Sequence, residues 1–129
     1  MSDILMNDKF IAIPLNVGAA IGSYDEAMML QLVHRWCLYA EKEGSEHNYQ
    51  EGYYWTYMTY EEVNEQLPMF KMTKVKKLIK DLREKELLIV DSFNRAGFDR
   101  TNWYRVNYEK LEALILEGSP HWSENDQSL

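Results

Sequence analysis

The chain has 129 residues, 46% hydrophobic and 13% aromatic, a folding composition rather than a disordered one, and of a length for one domain with one core. Its net charge of −7 excludes indiscriminate nucleic-acid binding, because an acidic body repels phosphate; a local basic site stays open, since screening acts over about 8 Å. One cysteine, Cys37, excludes an intramolecular disulfide framework, and with no signal peptide or long apolar run the expected location is cytoplasmic, with no membrane partner.

Residues 1–8 read as a flexible lead-in. Phe10 to Ile13 reads as a short strand ended by Pro14, and Asn16 as the cap of a helical turn over Val17 to Ile21, closed by Gly22. Ser23-Tyr24-Asp25-Glu26 has the form of a capping box and opens a helix to about Lys42 that ends near Gly44. Met29, Leu32, Val33, Trp36 and Ala40 follow helical spacing, and Met28, Leu30, Cys37, Leu38 and Tyr39 widen the apolar face past one stripe. Such a helix is the spine of a domain, or also part of a dimer interface.

Gly44 to Gly52 reads as a polar loop and Tyr53 to Met58 as an aromatic strand. Thr59-Tyr60-Glu61-Glu62 is a second capping box, with Met58 and Val63 placed as a hydrophobic staple, and Pro68 ends that short helix. A third helix is expected from Thr73 to about Glu86, burying Val75, Leu78, Ile79 and Leu82. A strand from Leu87 to about Phe93, a turn over Asn94 to Thr101 and a return strand over Asn102 to Tyr108 follow. Alternation puts Tyr104, Val106 and Tyr108 on one face and Trp103, Arg105 and Asn107 on the other. A last helix, about Glu109 to Glu117, carries Leu111, Leu114 and Ile115.

The expected class is therefore α+β: a winged helix-turn-helix over residues 9–117, with an extra N-terminal strand and helix, a closing C-terminal helix, and a flexible tail over 118–129.

Charge is unevenly spread along this order. Residues 1–68 carry a net −8, whereas residues 69–105 carry ten basic and five acidic side chains. Lys74, Lys76 and Lys77 lie in the first turn of the third helix, where the macrodipole disfavours a cation by about 0.3–1 kcal/mol. A phosphate at that helix end would relieve the mismatch. The candidate DNA-binding residues are Lys71, Thr73, Lys74, Lys76, Lys77, Lys80 and Arg83 on the helix, with Arg95 and Arg100 in the wing turn. The bland alternative is a solvated lysine face. Base readout is not implied, because lysines mostly contact phosphate.

Other chemistry finds no support in the sequence. His34, His47 and His121 fall on a helix, a loop and the tail, and with one cysteine make no zinc spacing. No nucleophile elbow, P-loop or dinucleotide fingerprint occurs, so a non-catalytic protein without cofactor or metal is expected. Tyr53, Tyr54, Trp55, Tyr57, Trp103 and Tyr104 read as core and sheet surface, with stacking of single-stranded bases as the alternative.

The stretch YYWTYMTYEEVNEQLPMFKMTKVKKLIKDLREKELLIV, followed by FDRTNWYRVNYEKL, resembles the N-terminal winged-helix region of replication initiation proteins of Gram-positive phages, plasmids and mobile elements, including replisome organisers related to the DnaD primosome proteins. The upstream AMMLQLVHRW resembles their first long helix, so the likeness runs from about Phe10 to Leu111. Family members often carry aromatics where this chain has Val63 and Leu67. The resemblance implies a DNA-binding, oligomerising domain used to start replication, its reading helix on Lys71 to Lys85 and its wing on Asn94 to Thr101. Those initiators usually continue into a second domain, whereas this chain stops at Leu129. The expectation is a stand-alone relative: an origin binder without loading ability, a regulator or an inhibitor.

The expected partner is duplex DNA, with homodimerisation through the 24–42 helix and the N-terminal segment, and a host replication protein as a further candidate. Two rival readings are a small acidic interaction module that binds or inhibits a host protein, and a transcriptional regulator.

Overall fold

The computed structural model describes residues 12–93, 99 and 101–118. Their architecture is α+β, with helices α1 (Leu15–Ile21), α2 (Tyr24–Glu43), α3 (Tyr60–Gln66), α4 (Met72–Glu84) and α5 (Tyr108–Gly118). Strands β1 (Tyr49–Gln50) and β2 (Tyr53–Tyr54) form a small hairpin; β3 (Thr56–Met58), β4 (Leu88–Asp91) and β5 (Asn102–Val106) form an antiparallel sheet in the order β3-β5-β4. The register pairs Thr56 with Tyr104 and Met58 with Asn102 on one side of β5, and Leu88 with Val106 and Asp91 with Trp103 on the other.

α1 begins earlier than its sequence suggests. Pro14 is its N-cap, and the Pro14 carbonyl accepts from the N–H groups of Val17 and Gly18, which leaves Asn16 inside the helix. The expected strand over Phe10 to Ile13 is not formed at Ala12 and Ile13, while Phe10 and Ile11 lie outside the described residues.

α2 is the spine of the core. Met29, Leu32, Val33 and Ala40 are buried along the expected stripe, and Leu30 and Cys37 extend the buried face. One side meets α1, another meets α4 and the sheet. The capping box at its start is only half made: Ser23 Oγ accepts from the Glu26 N–H, but the Glu26 carboxylate turns instead to Lys85. Gly44, at φ 65°, ends the helix in the left-handed region, where a residue without Cβ is unstrained.

The expected loop and single aromatic strand are replaced by a hairpin and a break. Glu51 and Gly52, at φ 53° and 87°, turn the chain between β1 and β2. Trp55 then leaves the ladder: its N–H donates to the Asn48 carbonyl at 2.8 Å, its carbonyl accepts from Asn48 Nδ2, and its indole N–H donates to the Gln50 carbonyl. With these groups taken locally, the run Tyr53 to Met58 splits into β2 and β3, in two different sheets.

Thr59 opens α3 with a complete capping box, and Met58 and Val63 are both buried in the core cluster. α4 buries Val75, Leu78, Ile79 and Leu82, as its periodicity predicts. Glu86 stops it in the left-handed region at φ 63°, with Leu87 N–H bonded to the Leu82 carbonyl. Asn107 locks this end to the next element: its Nδ2 donates to the Glu86 carbonyl, while its Oδ1 accepts from Lys110 N–H and caps α5. Tyr108 therefore opens a helix rather than completing a strand face.

Both faces of β5 are covered. Tyr104 and Val106 pack into the main core with Met29, Val33, Val75 and Leu82. On the other face Trp103, only 3% exposed, meets the rings of Tyr57, His47 and Phe93 at 4.8–5.4 Å. Of the aromatics at residues 53–58 and 103–104, Trp55, Trp103 and Tyr104 are buried, whereas Tyr53 and Tyr57 stay exposed on the sheet surface.

No helix among the described residues is long and apolar enough to cross a membrane.

Candidate nucleic-acid interface

α4 is held from beneath by its apolar stripe and from before by the turn after α3. Asn64 Nδ2 donates to the Phe70 carbonyl at 2.7 Å, and Phe70 N–H to the Leu67 carbonyl, which fix the approach of the chain to Lys71. Gln66 is likewise engaged, accepting from the Trp36 indole N–H. The two amide side chains nearest this helix are therefore structural.

The N-terminus of α4 differs from those of its neighbours. α2 and α3 are capped by Ser23 and Thr59 and carry two acids each in the first turn. α4 has Lys71 as N-cap, no side-chain cap and no acid in its first turn. Its first N–H groups donate to no side-chain cap and have lysines on either side in sequence, which is the arrangement an anion satisfies.

At 100° per residue the cations of α4 divide into three sets. Thr73, Lys77 and Lys80 are exposed on the face opposite the buried stripe, together with Glu84, and Lys76 and Arg83 are exposed on one flank of the stripe. Lys74 and Lys85 lie on the flank beside the start of α2. There Lys74 Nζ is 3.2 Å from Asp25 Oδ2 and Lys85 Nζ is 2.6 Å from Glu26 Oε1. The first turn of α2 thus meets α4 near both of its ends, and the role of Lys74 includes joining two helices.

Lys77 is also engaged, at 2.6 Å from Asp81 Oδ2 one turn on. That bond raises the Lys77 pKa and lowers that of Asp81. Both stay charged at neutral pH, and the local field of Lys77 is partly cancelled. Lys76 leans over the Tyr60 ring at 5.3 Å, a cation–π contact that leaves the ammonium exposed. Among the described residues no carboxylate reaches ion-pair distance of Lys71, Lys76, Lys80 or Arg83. The expected site residues of the helix are therefore on one element, four of them without an acid partner. Arg95 and Arg100 of the expected wing lie outside the described residues.

Elsewhere, His34 Nδ1 is 2.7 Å from the Tyr108 hydroxyl with the rings edge to face. Burial pushes the Cys37 thiol up to about 12, and the Tyr104 and Tyr108 hydroxyls also to about 12. Among the described residues no group of three His, Cys, Asp or Glu side chains is arranged to hold a metal ion.

Sequence reasoning overlooked a second polar site around Arg105. Its guanidinium carbon lies 3.6 Å from the centroid of the Tyr53 ring and 5.2 Å from that of Trp55. Strand alternation places Arg105 on the face of Trp103, but the β1–β2 hairpin that brings Tyr53 over it carries no strong turn signal in Glu51-Gly52. Compared with protein-family models, with curated proteins and with solved structures, the chain matches none of them.

Proposed function

We propose that this protein is a non-catalytic winged helix-turn-helix that binds duplex DNA, with α4 as the helix that meets the backbone. The observation that carries this reading is the start of α4: an uncapped helix end, free of acids in its first turn, with Lys71 and Lys76 close by and Lys80 and Arg83 further along the same helix. The order of elements supports it, since a long helix, the short strand β3, two helices and the β4–β5 ribbon, with β3 paired to β5, follow the order expected of a winged helix. The role is that of a replication initiator of phage or mobile-element type, acting in the cytoplasm as a dimer, and this part rests on the sequence resemblance alone.

Binding is through phosphate. Lys71, Lys76 and Lys80 supply point charges, Arg83 a planar fork, and the α4 N–H groups the oriented dipoles. The second reading, a module that binds a host protein, is favoured by one observation: Asp25 and Asp81 interrupt the basic strip, while Leu15 and Leu116 stand 78% and 74% exposed. A transcriptional regulator would share the DNA face and differ only in the sequence it finds.

The test is charge reversal on the exposed face. Lys76→Glu with Lys80→Glu is expected to weaken duplex binding by at least about a hundredfold with an unchanged melting temperature. Unaltered affinity would remove α4 from the interface.

A further inference from the structure

A cleft of about 590 Å³ opens between α2, the β1–β2 hairpin and the junction of β5 with α5. That volume lies within the range of small-molecule sites. His34, Cys37 and Leu38 form one wall, Tyr53 and Tyr54 another, and Arg105 and Tyr108 the floor. The cleft is distinct from the outer face of α4.

Arg105 is its unusual member. The guanidinium carbon sits over the Tyr53 ring at 3.6 Å from its centroid, a contact that uses none of the guanidinium N–H groups as hydrogen-bond donors. Its Nε is buried and has no hydrogen-bond partner. Among the described residues no carboxylate reaches ion-pair distance of it, although Glu41 and Glu109 line the same cleft. A half-buried guanidinium normally finds an acceptor, because a desolvated donor without one is costly. Among the described residues this one finds a flat aromatic support and no acceptor.

The groups around it narrow the ligand. Leu38, Ile89 and Val106 add apolar surface, and the tyrosine rings offer flat faces. The His34–Tyr108 hydrogen bond occupies one polar edge. Cys37 donates to the Tyr104 carbonyl at 3.5 Å and, held protonated by burial, brings no charge.

We propose that this cleft binds a small planar organic carboxylate, its carboxylate paired with the Arg105 guanidinium and its apolar body against the tyrosine rings. A fork of N–H donors matches two carboxylate oxygens, which makes Arg rather than Lys the fitting residue. Glu41 and Glu109 oppose any anion here, so they limit affinity and select against multiply charged ligands. The inference does not rest on the DNA-binding reading.

Benzoate is the probe and benzamide its neutral counterpart, followed by amide chemical shifts of the full chain. Benzoate is expected to give saturable shifts at Tyr53, Arg105 and Tyr108, with benzamide at least about tenfold weaker. Glu41→Gln is expected to tighten benzoate binding. Arg105→Gln is expected to abolish it; should that variant unfold, Arg105→Lys, which keeps the charge and loses the fork, is expected to weaken it several-fold. Equal binding of benzamide, no saturable shift at millimolar benzoate, or full binding by the folded Arg105 variant would overturn the proposal. Inorganic phosphate displacing benzoate from the same residues would overturn the choice of a carboxylate.

Discussion

Glu26 Oε1 accepts a hydrogen bond from Lys85 Nζ at 2.6 Å, across 59 residues of sequence. Glu26 is 8% exposed and the Lys85 side chain 42%, so the pair lies at the edge of the core. With Asp25 and Lys74 it sets the position of α4 against the first turn of α2. The helix proposed to meet DNA is thus oriented by the acids that also suit the start of α2.

Glu26→Gln keeps the volume and removes the charge. The expected cost is about 1 kcal/mol by urea denaturation, toward the low end for a charge-assisted bond because Lys85 is solvated. Asp25→Asn should cost less, since both partners of the Lys74 pair are exposed. A larger effect from Asp25→Asn than from Glu26→Gln would contradict this ordering.

Asp81 opposes DNA binding in this account, since it holds Lys77 at 2.6 Å. Asp81→Asn should free Lys77 and tighten duplex binding by about two- to fivefold at low salt. Fluorescence anisotropy against a labelled random duplex reads this directly. Weaker binding by the variant would mean that the Lys77–Asp81 pair is part of the contact surface rather than a brake on it.

Alkali should destabilise the fold. The Cys37 thiol is raised from 9.0 to about 12, and the Tyr104 and Tyr108 hydroxyls from 10.0 to about 12. Between those values the unfolded chain loses protons that the folded chain keeps, so stability is full below about pH 9 and falls as pH rises toward 12. Cys37→Ala should flatten the first part of that fall, and a thiol reagent should modify Cys37 slowly at neutral pH, because burial holds the thiol protonated. Rapid labelling of the native protein at neutral pH would contradict the burial of this group.

Leu82→Ala tests how far the interface depends on the core. Leu82 is fully buried beneath the exposed face of α4. The expected cost is about 3 kcal/mol, from lost transfer energy and the cavity left behind. Duplex affinity at a temperature where the variant is still folded should change little, because no proposed contact is removed.

What the sequence makes legible is what local chemistry decides. The 3.6-residue period of Val75, Leu78, Ile79 and Leu82 and the box at Thr59 each need only a few neighbouring residues, and both are formed. Glu26 satisfies the same local pattern at Ser23 yet bonds to Lys85, because a charged partner from a distant helix wins over a backbone N–H. Trp55 reads as one residue of a continuous strand, but its backbone and indole groups are taken by Asn48 and Gln50 and the strand divides there. The exposed lysines were legible as a set, and the Lys77–Asp81 pair is a local one within α4; that Lys74 and Lys85 are tied to Asp25 and Glu26 depends on how α2 lies against α4. The cleft at Arg105 was not legible, since it forms only when the hairpin folds across β5.

The most direct measurement is the affinity of the full chain for a random duplex at about 50 and about 200 mM salt, a range in which each phosphate contact leaves its own slope. The account predicts micromolar binding at low salt and a log–log slope of about −3 to −4, for the four cations without acid partners. No binding at the lower salt, or binding indifferent to salt, would contradict the central claim and leave the lysines of α4 as a solvated face.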